Sequence, residues 1–98
     1  MALLLYSDEL GKDVERITEH LLAHEVKRVD ERLGEVFEAL VLLTRHPLIG
    51  RPAGHIHREL VIGEGSHGYV ALYRYDELHD IVEVLALRAQ REAGFEDR

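Results

Sequence analysis

The feature that most constrains this chain is an apolar repeat in its first half. Apolar residues recur at spacings of three and four, the period of one helix face, at Val26, Val29, Leu33, Val36, Leu40 and Leu43. A stretch with the same period precedes it, at Leu10, Val14, Ile17 and Leu21. Ser7 can cap the first helix, because its hydroxyl accepts a hydrogen bond from a first-turn N–H. The short joint at residues 23–25 predicts an antiparallel helical hairpin, and intervening charged residues such as Arg16 are expected to form its solvated outer face.

The second half of the chain has the composition of strands. Pro47 is predicted to end the second helix, since the residue before a proline is pushed out of the α region. Three β-favouring stretches follow, at Arg58–Ile62, Tyr69–Tyr75 and Ile81–Leu87. The apolar run Ala2–Tyr6 suits a short buried strand. The order β-α-α-β-β-β predicts an α+β fold, a single domain over residues 1–98 with a helical hairpin on one face of a mostly antiparallel sheet.

The charge balance limits the classes of partner and site. The 98 residues carry 19 acids and 12 bases, a formal net charge of −7, whereas a nucleic-acid binder usually has a basic excess. The absence of cysteine excludes disulfides and thiolate metal sites. The N-terminal apolar run lacks a basic region before it, and no stretch approaches the ~20 apolar residues of a spanning helix. We therefore expect a soluble, cytoplasmic protein.

Seven histidines raise the question of a metal or catalytic site, but their spacing supports neither. His20 and His24 could share a helix face, yet no third ligand accompanies them. Histidine as a residue type can act as an acid or base near neutral pH, but no partner for His67 is visible. The GxGxxG spacing of Gly63–Gly68 leads into a strand, whereas a dinucleotide site needs a helix there. We expect no metal, no cofactor and no catalytic residue.

Polar residues on and around the predicted strands are the candidates for contact with a target or partner. Arginine suits such contacts because its guanidinium binds acidic groups in bidentate geometry. The candidate set consists of His57, Arg58, Arg74, Arg88, Arg91 and Glu92. The alternative is that Arg74 and Arg88 are exposed sheet residues paired with nearby acids such as Glu83.

Three segments resemble ParE-type toxins of the RelE/ParE superfamily. The run RELVIGEGSHGYVALYRYD at residues 58–76 is similar to their middle strands, and LALRAQREAGF at 85–95 is similar to their last strand and C-terminus. HPLIGRP at residues 46–52 resembles the junction after their helical hairpin. The predicted element order agrees with theirs over nearly the whole chain. The resemblance implies the toxin of a type II toxin–antitoxin system.

The resemblance also bears on how such a toxin works. RelE-like members are RNases with basic residues on the first meander strand, an arginine directly after a Gly-Tyr pair, and a basic residue near the end. Arg58 and Arg91 match two of these positions, but Leu60 and Val70 occupy the others. Each missing donor to a charged transition state costs about 10²–10³ in rate. The resemblance therefore implies a ParE-like inhibitor of DNA gyrase; the alternatives are a RelE-like ribosome-dependent mRNA endoribonuclease and a decayed, non-toxic member.

The resemblance implies a protein partner as well. ParE-type toxins are normally neutralised by a ParD-like antitoxin, whose C-terminal segment folds on the toxin along the hairpin and sheet. Leu33, Phe37 and Leu40 on the second helix are the apolar residues expected to face it. The toxin alone is expected to contact neither DNA nor a membrane.

Overall fold

The computed structural model describes residues 1–91. Within this range the elements are β1 (Leu3–Tyr6), α1 (Asp8–His24), α2 (Val29–Leu42), β2 (Arg51–Pro52), β3 (His57–Ile62), β4 (Tyr69–Asp76) and β5 (Ile81–Ala89), with single 3₁₀ turns at Val26–Arg28 and Gly65–His67. The strands form one sheet in the order β1-β5-β4-β3-β2, in which β1 is parallel to β5 and the other pairs are antiparallel. The predicted α+β fold, with two helices packed on a mostly antiparallel sheet, is confirmed.

Helix α1 begins at the predicted cap. The Ser7 hydroxyl accepts a hydrogen bond from Leu10 N–H at 3.1 Å and donates one to the Leu85 carbonyl at 2.8 Å. One turn later, the buried Asp13 carboxylate accepts a hydrogen bond from Leu87 N–H at 2.9 Å. Strand β1 pairs with β5 only as far as Val84. Beyond that point, the side chains of Ser7 and Asp13 satisfy the backbone groups of Leu85 and Leu87 that β1 does not reach.

Strand β1 differs from the buried strand that was predicted. Leu3 is 57% exposed and Leu5 is 43% exposed, while Leu4 is partly buried against the core. The reason is the sheet order, which makes β1 an edge strand with only one face toward the helices.

The boundaries of α2 also differ from the prediction. The helix starts at Val29, because Val26 lies in the preceding 3₁₀ turn, where it is exposed. It ends at Leu42, before Pro47 can act on it, and hydrogen-bonded turns follow. Within residues 1–91, neither helix has the length and apolar character needed to cross a lipid bilayer.

The three predicted strands of the meander are present, each extended by one or two residues. A further strand that was not predicted, the two-residue β2, follows α2 and pairs with β3. Pro52 fits there because β2 is an edge strand, where a missing N–H costs no ladder bond.

The core lies between the helices and one face of the sheet. Its fully buried side chains include Tyr73, Val36, Leu40, Val82, Val84 and Leu87. The Tyr73 hydroxyl donates a hydrogen bond to the Pro47 carbonyl at 2.7 Å and accepts one from Gly50 N–H at 2.9 Å. A Cβ on Gly50 would lie 2.6 Å from the Tyr73 ring, so only glycine fits this approach. These contacts fasten the segment after α2 to the middle of the sheet.

Candidate functional site

The sheet has a second face, turned away from the helices, which we call the open face. Val70 lies opposite Val61 on β3 and Arg88 on β5, and directly opposed residues point to the same side. None of these three residues belongs to the core between the helices and the sheet. The open face of β3 continues through Glu59 and His57, which lie opposite Leu72 and Arg74. Val70 itself is buried, with 1% of its surface exposed.

The register between β3 and β4 separates Arg58 and Leu60 from Val70, although the sequence analysis had compared all three with the RNase positions. Arg58 and Leu60 alternate along β3 with the open-face residues, so they point to the helix side of the sheet. A site built around Val70 would instead draw on Glu59 and Val61, an acid and an apolar side chain. Arg58 is therefore on the wrong face to share a site with position 70.

Three of the predicted contact residues come together where β4 ends. His57, Arg58 and Arg74 line one open depression with Asp76 and His79, and we call these five residues the loop cluster. His57 and Arg74 face each other across β3 and β4. The cluster therefore combines residues that the sequence analysis had selected separately.

The arginines of the loop cluster are engaged by the protein itself. Arg58 Nη1 donates hydrogen bonds to the carbonyls of Leu48, at 3.2 Å, and Gly50, at 2.8 Å. Arg74 Nη2 lies 3.2 Å from Glu83 Oε1 in an ion pair, as the alternative interpretation of Arg74 expected. Both arginines thus have intramolecular partners that hold this end of the sheet together.

The acid of the loop cluster is paired in the same way. His79 Nδ1 lies 2.8 Å from Asp76 Oδ2, and this hydrogen bond lowers the pKa of the Asp76 carboxyl. Next to it, the Tyr75 hydroxyl donates a hydrogen bond to Asp80 Oδ1 at 2.7 Å, which raises the pKa of that phenol. The turn between β4 and β5 is therefore stabilised by side chain to side chain bonds.

The opposite end of β4 borders a partly open cavity of about 280 Å³ between α1, the start of α2 and the sheet. Its basic and acidic lining consists of Arg16, His20, Glu25, Arg32, His67 and Arg91, and we call it the arginine cavity. Arg91, a predicted contact residue, therefore lies at the other end of β4 from the loop cluster.

Two polar pairs define the walls of the arginine cavity. Arg32 Nη2 lies 3.1 Å from Glu25 Oε1, and Arg91 Nη2 lies 2.7 Å from His20 Nε2. Burial by itself would raise the pKa of the Glu25 carboxyl, but the hydrogen bond from Arg32 and the neighbouring positive charges lower it. Glu25 is therefore ionised in the folded protein near neutral pH.

The sequence analysis missed most of this cavity. Arg16 was expected on a solvated helix face, and Glu25 and Arg32 carried no signal of their own. They meet His67 and Arg91 only because the 3₁₀ turn brings the start of α2 against the ends of β4 and β5. The spacing of residues along the chain cannot predict tertiary contacts of this kind.

His20 and His24 form a stacked pair on α1. Their ring centroids lie 4.4 Å apart with an interplanar angle of 22°. Across residues 1–91, no three histidine, aspartate or glutamate side chains are grouped so that they could hold a metal ion.

The remaining candidate contact residues lie elsewhere. Arg88 is on the open face, and its Nη1 donates to the carbonyls of Ala89, at 3.3 Å, and Gln90, at 3.4 Å. Glu92 is outside the described residues. The predicted contact set is thus divided among the loop cluster, the open face and the arginine cavity.

The apolar residues expected to face an antitoxin are only partly accessible. Leu40 is completely buried in the core, so its side chain has no surface to offer a partner. Leu33 and Phe37 are half-buried, and Val41, one turn beyond Phe37, is 56% exposed. The Phe37 ring packs edge-on against Tyr6, with centroids 6.0 Å apart. Leu33, Phe37 and Val41 follow one another at one-turn spacing on α2, and Tyr6 contacts Phe37; we call these four residues the apolar strip.

Comparison with known proteins agrees with this architecture. Residues 4–94 match the family model described as the ParE toxin of the type II toxin–antitoxin system parDE. A chain of the chromosomal ParDE system from P. aeruginosa superposes with a TM-score of 0.75 at 16% identity, covering 91% of this chain and 96% of that one. A chain of the RelBE2 toxin–antitoxin complex from Mycobacterium tuberculosis superposes with a TM-score of 0.57 at 20% identity, covering 91% and 98%. No curated protein matches the sequence.

Proposed function

Because the chain belongs to the ParE toxin family of type II toxin–antitoxin systems, we propose that it acts by binding and blocking DNA gyrase and that it does not cut RNA. The observation that carries this proposal is the open face. Where the RNase branch has its arginine after the Gly-Tyr pair, this chain has the buried Val70. The residues beside it on β3 are Val61 and Glu59.

Charge explains why this face suits binding better than cleavage. Cleavage of RNA needs positive donors aimed at the phosphate as its charge develops, and each is worth about 10²–10³ in rate. Val61 and Val70 donate nothing, and Glu59 is an acceptor already paired with Arg51 at 3.1 Å. The basic groups on the same face, His57, Arg74 and Arg88, surround this centre and suit contacts with an acidic protein surface.

We place the antitoxin contact on the apolar strip. A ParD-like segment that folds on binding would bury the half-exposed Leu33 and Phe37 together with Val41 and Tyr6. Coupled folding of this kind requires apolar surface, which the strip supplies at the junction of α2 and β1.

The gyrase proposal is tested with purified full-length toxin in a plasmid supercoiling assay. We expect inhibition by the unmodified toxin, and about tenfold weaker inhibition by Arg74→Glu and Arg88→Glu, because a reversed charge on the open face opposes an acidic partner. Arg45→Glu is the matched control, since Arg45 is exposed in the turn after α2 and does not belong to the open face. Circular dichroism confirms that each variant is folded.

Three outcomes would contradict this proposal. Unchanged supercoiling at a large molar excess of toxin removes gyrase as the target. Cleaved transcripts after induction would favour a RelE-like endoribonuclease. Normal growth after induction without the antitoxin would identify a non-toxic member of the family.

A further inference from the structure

The arginine cavity holds an excess of positive charge in a protein whose net charge is −7. Three arginines line it against one carboxylate, that of Glu25. Asp13 lies 3.9 Å from Arg16 and offsets that arginine from behind the cavity. The negative charge of Glu35 acts electrostatically on the neighbouring Tyr69, but Glu35 does not line the cavity. With Arg16 offset by Asp13 and Arg32 offset by Glu25, the local excess is one positive charge, that of Arg91.

Arg32 has donors that the described residues do not satisfy. Its side chain is only 11% exposed, and one nitrogen, Nη2, is taken by Glu25. Its Nε is buried and has no hydrogen-bond acceptor among residues 1–91. A buried donor without an acceptor costs free energy, so the Arg32 side chain is held at the cavity wall at a cost in stability.

Arg91 is held beside the same space by a histidine. A guanidinium can only donate, so His20 Nε2 accepts the 2.7 Å hydrogen bond from Arg91. Stacking on His24 fixes that ring in turn. The Arg91 guanidinium is therefore positioned at the mouth of the cavity, where it is exposed but held by His20.

We propose that the arginine cavity binds a phosphate-type oxyanion, either free phosphate or the phosphate group of a small nucleotide. The planar guanidinium of Arg32 and that of Arg91 match phosphate geometry. A space of about 280 Å³ is larger than one phosphate needs, and Ile17, Leu21 and Ala89 add apolar walls suited to an organic body. A cation is excluded by the same charge excess.

This inference extends beyond the proposed inhibition of gyrase, and it is measured without gyrase. The full-length toxin, labelled with ¹⁵N, is titrated with inorganic phosphate, adenosine monophosphate and adenosine at constant ionic strength. We expect saturable shifts of the Gly68 and Tyr69 amides, which border the cavity, with phosphate and with the nucleotide. Adenosine alone produces none, because it lacks the anionic group.

The variants Arg32→Gln and Arg91→Gln separate a specific site from general charge. Binding is expected to weaken by about tenfold or more in Arg32→Gln and by about threefold or more in Arg91→Gln, since each removes charge-assisted hydrogen bonds. Arg51→Gln is the matched control, because Arg51 is 59% exposed and pairs with Glu59 at the far edge of the sheet. Should Arg32→Gln fail to fold, Arg91→Gln, altered at an exposed residue, still tests the site.

Each result has a defined meaning. Tighter binding of adenosine monophosphate than of phosphate supports the site and identifies a nucleotide as the ligand, whereas equal affinities support free phosphate. The absence of saturation at tens of millimolar phosphate overturns the proposal. Equal weakening in Arg51→Gln also overturns it, because the effect would then reflect only the loss of one positive charge.

Discussion

The two ends of β4 carry the same kinds of side chain but use them differently. In the loop cluster, Arg58 bonds to backbone carbonyls, Arg74 pairs with Glu83, and His79 pairs with Asp76. In the arginine cavity, basic groups outnumber the single lining carboxylate, and a buried guanidinium nitrogen has no acceptor within residues 1–91. A basic cluster in sequence or in space therefore indicates a ligand only after its internal partners have been counted.

The largest effect is expected where the loop-cluster end is fastened to the sheet. Gly50→Ala places a Cβ 2.6 Å from the Tyr73 ring and 2.9 Å from the Glu59 carbonyl, so the free energy of unfolding should fall by about 2–3 kcal/mol. Urea denaturation measures it. The matched control is Gly11→Ala, which has open space around it on α1 and should raise stability by about 0.5–1 kcal/mol. An unchanged free energy of unfolding in Gly50→Ala would mean that the segment after α2 is not held tightly against the core.

A pair of substitutions compares the two ends directly. Arg58→Met removes two hydrogen bonds to backbone carbonyls and should lower the free energy of unfolding by about 1–2 kcal/mol. Arg91→Met, at an exposed residue, should change it by less than about 0.5 kcal/mol. Thermal or urea unfolding of both variants tests the contrast. Equal losses would show that the arginine cavity is as structural as the loop cluster.

The smallest effect concerns acid pH at the loop-cluster end. Chiefly because His79 hydrogen-bonds the carboxylate, the pKa of Asp76 is lower in the folded protein than in the unfolded chain. As pH falls, the Asp76 carboxylate is therefore protonated in the unfolded chain before it is protonated in the folded protein. The stability that this pair contributes is fully present above the pKa of Asp76 in the unfolded chain, and it is lost as pH falls through the pKa of Asp76 in the folded protein. Asp76→Asn should flatten the acid side of the curve of stability against pH, relative to the unmodified protein. An identical curve for both proteins would contradict this assignment.

Local patterns predicted the elements well, because their causes lie within a few residues. The repeat through Val29 and Leu40 is the helix period, and the Ser7 cap needs only Leu10 beside it. The exposure of β1 could not be predicted in this way, since it depends on which strand lies at the edge of the sheet. Local composition favoured burial there, and the sheet order overrode it.

The candidate site was less predictable for the same reason. Selecting basic residues found His57, Arg58 and Arg74, which do converge. It could not show that Arg58 and Val70 point to opposite faces, because that depends on the register between β3 and β4. Nor could it bring Arg91 to His20, which are 71 residues apart in the chain.

The pairing of β1 with β5 has a consequence for how the toxin is made. The Ser7 hydroxyl reaches the carbonyl of Leu85 across a sequence separation of 78 residues, so the edge of the sheet joins segments that are synthesised at different times. Contacts of such high sequence separation slow folding. At a synthesis rate of about 5–20 residues per second, β1 and the α1 cap wait for several seconds on the ribosome without their partner. Strand β1 therefore completes its pairing only after β5 has been synthesised.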